Sequence, residues 1–249
     1  MSIELLEVRK AFGDKEILTG FSLTIKDGET LSIIGYSGAG KSVTLKHIIG
    51  LMRADSGTVH VDGMDVGAMD RSALTELRRN VGYVFQFAAL FDSMTIGENV
   101  AMGLLRIPDM DEEEIRARVH ECLSLVDLND VHDRYPSEMS GGMKKRAGLA
   151  RAIATGPKYL LYDEPTTGLD PVTVKVIDRL NIRMKEELGV TGVVITHDMD
   201  SAYRISDRIA MLYDGKMRAV GTVEEIRTSE DPLVRAFVEG RPELMEGMS

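Results

Sequence analysis

Cysteine is almost absent: Cys122 is the only one in 249 residues. One thiol excludes an internal disulfide and fits a reducing compartment. It falls on the apolar side of a helical pattern, which reads as packing rather than reactivity. Long hydrophobic runs are missing too. The longest apolar, uncharged stretch runs from Asn80 to Phe91, well short of the roughly 20 residues that cross a bilayer. Residues Met1 to Glu7 lack the basic and apolar regions of a secretory leader. Positive charge is in deficit, with 30 Lys and Arg against 40 Asp and Glu, a net charge of −10. That balance argues against a broad nucleic-acid surface, which needs clustered cations; it suits solubility. There is no internal repeat, low-complexity segment or long linker. The expectation is a cytosolic protein that reaches a membrane only through other chains.

What is present begins with Gly35-Tyr36-Ser37-Gly38-Ala39-Gly40-Lys41-Ser42. An apolar run, Leu31 to Ile34, precedes it, and a helix-compatible run, Val43 to Ile49, follows. Strand, glycine-rich loop and helix in that order form a phosphate-binding unit. Glycines let the backbone curl so that consecutive N–H groups point inward at phosphate oxygens. The helix adds its positive end. Lys41 would reach the β- and γ-phosphates, and the Ser42 hydroxyl would ligate Mg²⁺. The pattern predicts a nucleoside-triphosphate site.

Apolar residues at 43% and charged residues at 28% are ordinary for a globular chain, and the length suits one domain with a lobe. Ile3 to Val8, Phe21 to Ile25, Thr30 to Ile34 and Thr58 to Val61 read as strands, punctuated by Gly20, Asp27-Gly28 and Asp62-Gly63. Val81 to Phe85 reads as a buried strand ending at Gln86. From Asp111, acids start a helix whose apolar face is Ile115, Val119, Cys122, Leu123 and Val126. Ser140 to Ala154 reads as a further helix carrying Lys144, Lys145 and Arg146. Tyr159 to Tyr162 and Val190 to Thr196 are central strands. Between them lies a helix with Asp170 as N-cap, Pro171 at its first position and Gly189 past its end. Its expected buried face is Val176, Leu180, Met184 and Leu188. Asp231 to Val238 reads as a short final helix.

The fold expected from these patterns is α/β with an inserted α-helical lobe, and the family resemblance carried by the further motifs implies a P-loop NTPase (RecA-like) core with an antiparallel β subdomain. The core would occupy about 1–88 and 158–230, the lobe about 89–157, and a C-terminal extension about 231–249.

Asp163-Glu164 ends the apolar strand Tyr159 to Tyr162. An acid at the C-terminal end of a central parallel strand faces the crevice where ligands bind. Asp163 suits Mg²⁺, usually through water, and Glu164 suits the base that orients an attacking water. Ser140-Gly141-Gly142 opens a helix and offers a hydroxyl, N–H groups and a helix dipole to an anion.

In this combination the chain resembles the nucleotide-binding subunits of ABC transporters. Gly35 to Ser42 matches Walker A, and Tyr159 to Glu164 matches Walker B. Met139-Ser140-Gly141-Gly142-Met143 matches the signature, usually Leu-Ser-Gly-Gly-Gln. Gln86 matches the Q-loop, Gly168-Leu169-Asp170 the D-loop and His197 the H-loop. Phe12 lies where relatives carry an aromatic that stacks on adenine. The resemblance implies ATP as substrate, Mg²⁺ as cofactor, and Glu164, His197 and Lys41 as catalytic residues. The nucleotide would be bound by Phe12, Gly35, Tyr36, Ser37, Gly38, Ala39, Gly40, Lys41, Ser42, Val43, Gln86, Ser140, Gly141, Gly142, Asp163 and Asp170. The metal would fall to Ser42, Gln86 and Asp163. It also implies a head-to-tail homodimer, each ATP held between Walker A of one copy and the signature of the other. Met143 departs from the signature glutamine and lacks the donor that reaches the sugar.

A finer resemblance rests on Gln86-Phe87-Ala88-Ala89-Leu90-Phe91-Asp92-Ser93-Met94-Thr95 together with Met139 to Ala147. These look like the ATPases of Mla-type (Mce-associated) phospholipid transport systems. The implied partners are membrane permease subunits, an Mce-domain protein and a small accessory subunit, with no nucleic acid, at the cytoplasmic face of the inner membrane. A transporter of another solute, a non-transport ABC ATPase and a soluble P-loop kinase are the competing readings. The kinase ranks last, lacking as it would Ser140 to Gly142 and His197. The final helix either reaches a neighbouring subunit or packs on its own domain.

Overall fold

A computed structural model describes residues 3–241. In chain order its strands and α-helices are β1 (Ile3–Phe12), β2 (Lys15–Ile25), β3 (Thr30–Ile34), α1 (Lys41–Ile48), β4 (Ser56–Val61), β5 (Met64–Asp65), α2 (Arg71–Arg79), β6 (Val81–Val84), α3 (Ile96–Ala101), α4 (Glu112–Leu125), α5 (Gly141–Ile153), β7 (Tyr159–Asp163), α6 (Pro171–Leu188), β8 (Thr191–Ile195), α7 (Met199–Ile205), β9 (Arg208–Tyr213), β10 (Lys216–Thr222), α8 (Val223–Arg227) and α9 (Pro232–Val238). Packing divides them into two units. One runs to Leu74 and resumes at Thr191; the other spans Thr75 to Val190.

The first unit contains an antiparallel sheet ordered β2-β1-β4-β5. β2 is longer than its sequence suggests. Gly20, expected as a break, lies inside the strand at φ +106, and pairing with β1 carries the ladder past it to Lys15 opposite Phe12. At Asp62-Gly63, where a turn is expected, both residues take positive φ and join β4 to β5 in a tight hairpin. The unit's other strands run β10-β9-β3-β8, with β3 parallel to both β8 and β9. All five residues of β3 and of β8 are buried, as a parallel strand covered on both faces requires. α9 packs on this unit's own core. Val234 joins Ile34, Ile209 and Met211, and Phe237 lies against that cluster.

The second unit pairs β6 with β7 in parallel, Val81 opposite Tyr159. Its helices have the caps the sequence announces. Asp111 and Glu114 form a reciprocal capping box on α4, and Ser140 and Asp170 cap α5 and α6. On α4 Val119, Cys122 and Leu123 are buried as expected, and Val126 caps it buried. Burial pushes the Cys122 thiol up to about 11, which leaves it protonated and inert. The buried face of α6 differs from expectation. Ile177, Leu180, Asn181 and Met184 are buried with Asp178, while Val176 and Leu188 are half-buried. Two buried polar side chains turn the helix away from the face its aliphatic residues alone define. Within this unit lie all of residues 89–157, together with the strands that carry Asp163 and precede Gln86.

Candidate functional site

In the first unit β3 leads into the glycine-rich loop. A Cβ on Gly35 would stand 2.2 Å from the Leu212 carbonyl oxygen of β9, at φ +147. Glycine is therefore required where the loop leaves the sheet. Gly40 precedes α1 at φ +104 and supplies no capping side chain, so this helix end suits an external anion. Lys41 is 7% exposed, and its Nζ donates to the carbonyls of Gly35 at 2.8 Å and Tyr36 at 3.0 Å. The ammonium is thus folded back across the loop. Ser42 and Val43 follow in the first turn, half-buried.

Tyr36 contributes its ring elsewhere. It stands edge-on to Phe237 at 5.0 Å and to Tyr213 at 6.1 Å between centroids. Ser37, Gly38 and Ala39 line a hollow of about 390 Å³ with Lys15, Ile17 and Asp214. Phe12 lies outside those walls, at the tip of the first hairpin and 49% exposed, with Lys10 Nζ 5.7 Å from its ring centroid. His197 is exposed just past β8. The turn that carries it is tied by Asp198 N–H donating to Thr196 Oγ1 at 3.0 Å, and Asp198 then caps α7.

The second unit gathers the other expected residues. Asp163 is the last residue of β7, and Glu164 follows at φ +50. A left-handed glutamate costs about 1–2 kcal/mol, so surrounding contacts must hold it. Glu164 Oε2 accepts from Gln86 Nε2 at 3.1 Å and from Thr167 Oγ1 at 3.0 Å. Lys145 Nζ donates to the carbonyls of Pro165 and Thr167, each at 2.9 Å. Burial pushes the Lys145 pKa down, and the Glu164 charge opposes that shift. Tyr83 donates its hydroxyl to Asp163 Oδ2 at 2.9 Å; burial, then the Asp163 charge, raises the phenol's pKa, so the proton stays on Tyr83.

Ser140 caps α5 by accepting from Met143 N–H at 3.3 Å. Gly141 beside it is exposed, and a Cβ there would meet nothing within 4 Å, whereas one on Gly142 would press on Thr173 at 2.7 Å. Asp170 is engaged as a cap. It accepts from Val172 and Thr173 N–H and from Thr173 Oγ1, and these bonds, the hydroxyl's first, hold its carboxyl below the usual range.

The run after Gln86 is an ordered, exposed loop. Ala88 and Ala89 both take positive φ, and Arg151 pins their carbonyls at 2.8 and 2.6 Å. The fully buried Asn99 accepts from Phe91 N–H and donates to the carbonyls of Phe91, Met94 and Thr95. Held this way, Phe87 is 82% exposed and Phe91 49%, while Ala88 is buried and Leu90 half-buried. Sequence reasoning missed Tyr83, Lys145, Arg151 and Asn99. Tyr83, Lys145 and Arg151 act on partners 20 or more residues away, while Asn99 acts on a loop that ends just before its own helix.

The donor chemistry of each unit suits one part of a magnesium nucleotide. In the first, the uncapped helix end behind the glycine loop suits phosphate and the Ser42 hydroxyl is a hard oxygen donor; in the second, the Asp163 carboxylate and the Gln86 amide, whose nitrogen faces Glu164, offer hard oxygen donors that suit Mg²⁺.

Comparison with known proteins gives the family. The ABC transporter family profile matches residues 18–167. The "Probable ribonucleotide transport ATP-binding protein mkl" of Mycobacterium tuberculosis is 39% identical over 241 residues, 97% of this chain and 67% of that protein. The "Methionine import ATP-binding protein MetN" of Brucella abortus is 39% identical over 238 residues, 95% of this chain and 64% of that protein. The chain thus spans about two thirds of the length of these relatives. A dimeric bacterial ABC transporter cassette superposes with a TM-score of 0.82 at 37% identity, over 89% of this chain and 98% of its own. A dimeric ATP-binding cassette in a post-hydrolysis state, bound to ADP and Pi, gives 0.81 at 36% identity over the same shares. The cbiO1 protein of Clostridium perfringens, part of the ABC transporter complex cbiONQ, gives 0.84 at 30% identity over 98% of each chain. With its glycine loop, paired acids and Ser-Gly-Gly helix cap, the chain belongs to the ABC transporter family and is one of its ATPase cassettes.

Proposed function

We propose that the chain is the ATPase subunit of a phospholipid transporter of the Mla type, working as a homodimer beneath membrane-spanning permease subunits on the cytoplasmic face of the inner membrane. The exposed, pinned loop from Phe85 to Met94 carries this reading: it combines the Mla-like run with three exposed phenylalanines on a rigid support, and apolar exposure of that kind marks partner surfaces. Among the described residues no helix is long and apolar enough to cross a membrane, so permease partners have to supply the path.

Within the proposed site each side chain has a task. The N–H groups of Gly35 to Ser42 and the Lys41 ammonium hold the triphosphate. Ser42, Gln86 and Asp163 would hold Mg²⁺, which supplies charge neutralisation on the phosphates. Glu164, oriented by Gln86 and Thr167, accepts the proton of the attacking water, and His197 holds that water's geometry. Ser140, Gly141 and Gly142 act on the nucleotide of the partner copy. A second reading, import of another solute, draws on the names of the methionine and ribonucleotide relatives.

The test is purification of the Glu164→Gln variant from native membranes in Mg²⁺ and ATP. The amide keeps the shape of the side chain and cannot accept a proton, so turnover should fall at least about 10²-fold while ATP stays bound in a dimer. Permease chains and phospholipid should accompany that dimer. Near-normal hydrolysis would remove Glu164 from its role, and copurification of an amino-acid or nucleotide receptor without lipid would install the second reading.

A further inference from the structure

Residues 83 to 86 bond both acids of the proposed hydrolytic centre, and Gln86, just past the end of β6, makes the bond to Glu164. Beside it, the Tyr83 hydroxyl donates to Asp163 Oδ2 at 2.9 Å. The ring of Tyr83 is packed in turn against Phe85, 4.5 Å between centroids and tilted by 40°. Residues 83 and 85 share one side of an extended segment. Phe85 is 42% exposed at the start of the pinned loop. An aromatic pair therefore runs from the protein surface to one acid, while the turn that begins after Phe85 places Gln86 on the other.

We propose that Tyr83 is a positioning residue for the metal-binding acid, fixing the Asp163 carboxylate for Mg²⁺, and that Phe85 sets Tyr83 from the exposed loop. This rests on the reading of Asp163 as a magnesium residue. A carboxylate that carries one hydrogen bond from a phenol loses rotational freedom, and the bond reaches a charged acceptor in a partly buried place, where it is strong. Anything that shifts Phe85 reaches the Asp163 carboxylate through the Tyr83 ring, a route distinct from the Gln86–Glu164 bond.

The experiment measures Mn²⁺ affinity by electron paramagnetic resonance in the complex of the full-length protein with a non-hydrolysable ATP analogue, alongside the Mg²⁺ concentration for half-maximal turnover. Nucleotide affinity in EDTA is the reference. Tyr83→Phe, which removes one oxygen and keeps the ring, should weaken Mn²⁺ binding and raise the Mg²⁺ requirement by about tenfold. Phe85→Ala should shift both in the same direction by about threefold, the scale of one aromatic contact. Asp163→Asn should weaken Mn²⁺ binding more than either, and adding Tyr83→Phe to it should change nothing further. If Asp163→Asn lowers Mn²⁺ affinity and Tyr83→Phe does not, Tyr83 has no positioning role. If Asp163→Asn leaves Mn²⁺ affinity intact, the reading of Asp163 itself fails. A Tyr83→Phe effect that persists in full on the Asp163→Asn background would assign the loss to packing and overturn the proposal.

Discussion

The two units hold their functional groups by different means. In the first, the phosphate loop is shaped by backbone. Gly35 fits only without a Cβ, α1 starts without a capping side chain, and the buried Lys41 ammonium bonds backbone carbonyls of its own loop. In the second, the acids and the exposed loop are shaped by side chains reaching across tens of residues: Lys145 to Pro165 and Thr167, Arg151 to Ala88 and Ala89, Tyr83 to Asp163. A backbone device fails through added atoms. A side-chain network fails through removed ones.

Mutations that add or delete atoms separate the two modes. Gly35→Ala should do most damage, since its methyl would have to displace the Leu212 carbonyl from 2.2 Å. Overpacking plus a disfavoured backbone amounts to about 4 kcal/mol, measured as a lower urea midpoint with loss of nucleotide binding. A tolerated alanine would show that the loop is not backbone-held. Lys145→Met keeps the length and removes the donor, leaving two carbonyls unmatched near Glu164. A loss of about 2 kcal/mol and slower turnover are expected, with nucleotide affinity kept, and a stability equal to wild type would break the contrast from the other side.

The smallest effect concerns pH. His47 on α1 is 1% exposed, and its Nδ1–H donates to the Val43 carbonyl at 2.7 Å; burial first of all lowers its pKa from 6.5. The unfolded chain therefore binds a proton below about pH 6.5 that the folded chain refuses. Its share of stability is intact above that value and declines as pH falls toward the folded pKa. In His47→Gln the melting temperature should lose that part of its slope between pH 6.5 and 5; an unchanged slope would show that His47 takes no part in it.

The same division governs what could be read from the chain. Gly35 to Ser42, the Ser140 and Asp170 caps and the Asp62-Gly63 hairpin are local patterns in which a few consecutive residues fix their own geometry, and the structure places them where the sequence does. The long-range links were illegible. Lys145 reads as one of three basic residues on a helix until the turn after β7 brings two carbonyls to it, and Tyr83 reads as an ordinary strand aromatic. On α6, counting aliphatic residues alone misphased the buried face, because Asp178 and Asn181 lie inside. β9, β10, α2, α3, α7 and α8 gave weaker or shorter patterns, and pairing or packing with distant segments defines them.

Phe237 against Tyr36 has a bearing on the order in which the protein is made. The glycine loop is translated early, yet its aromatic footing and both neighbours of β3 come from residues 191–195, 208–213 and 237. A ribosome-bound chain that stops short of β9 lacks the strand whose carbonyl the Gly35 turn is built around. The second unit, contiguous in sequence, is free of that delay. Emergence from the ribosome therefore completes the acids and the exposed loop before the phosphate loop, and a nascent chain acquires nucleotide affinity only near the end of its synthesis.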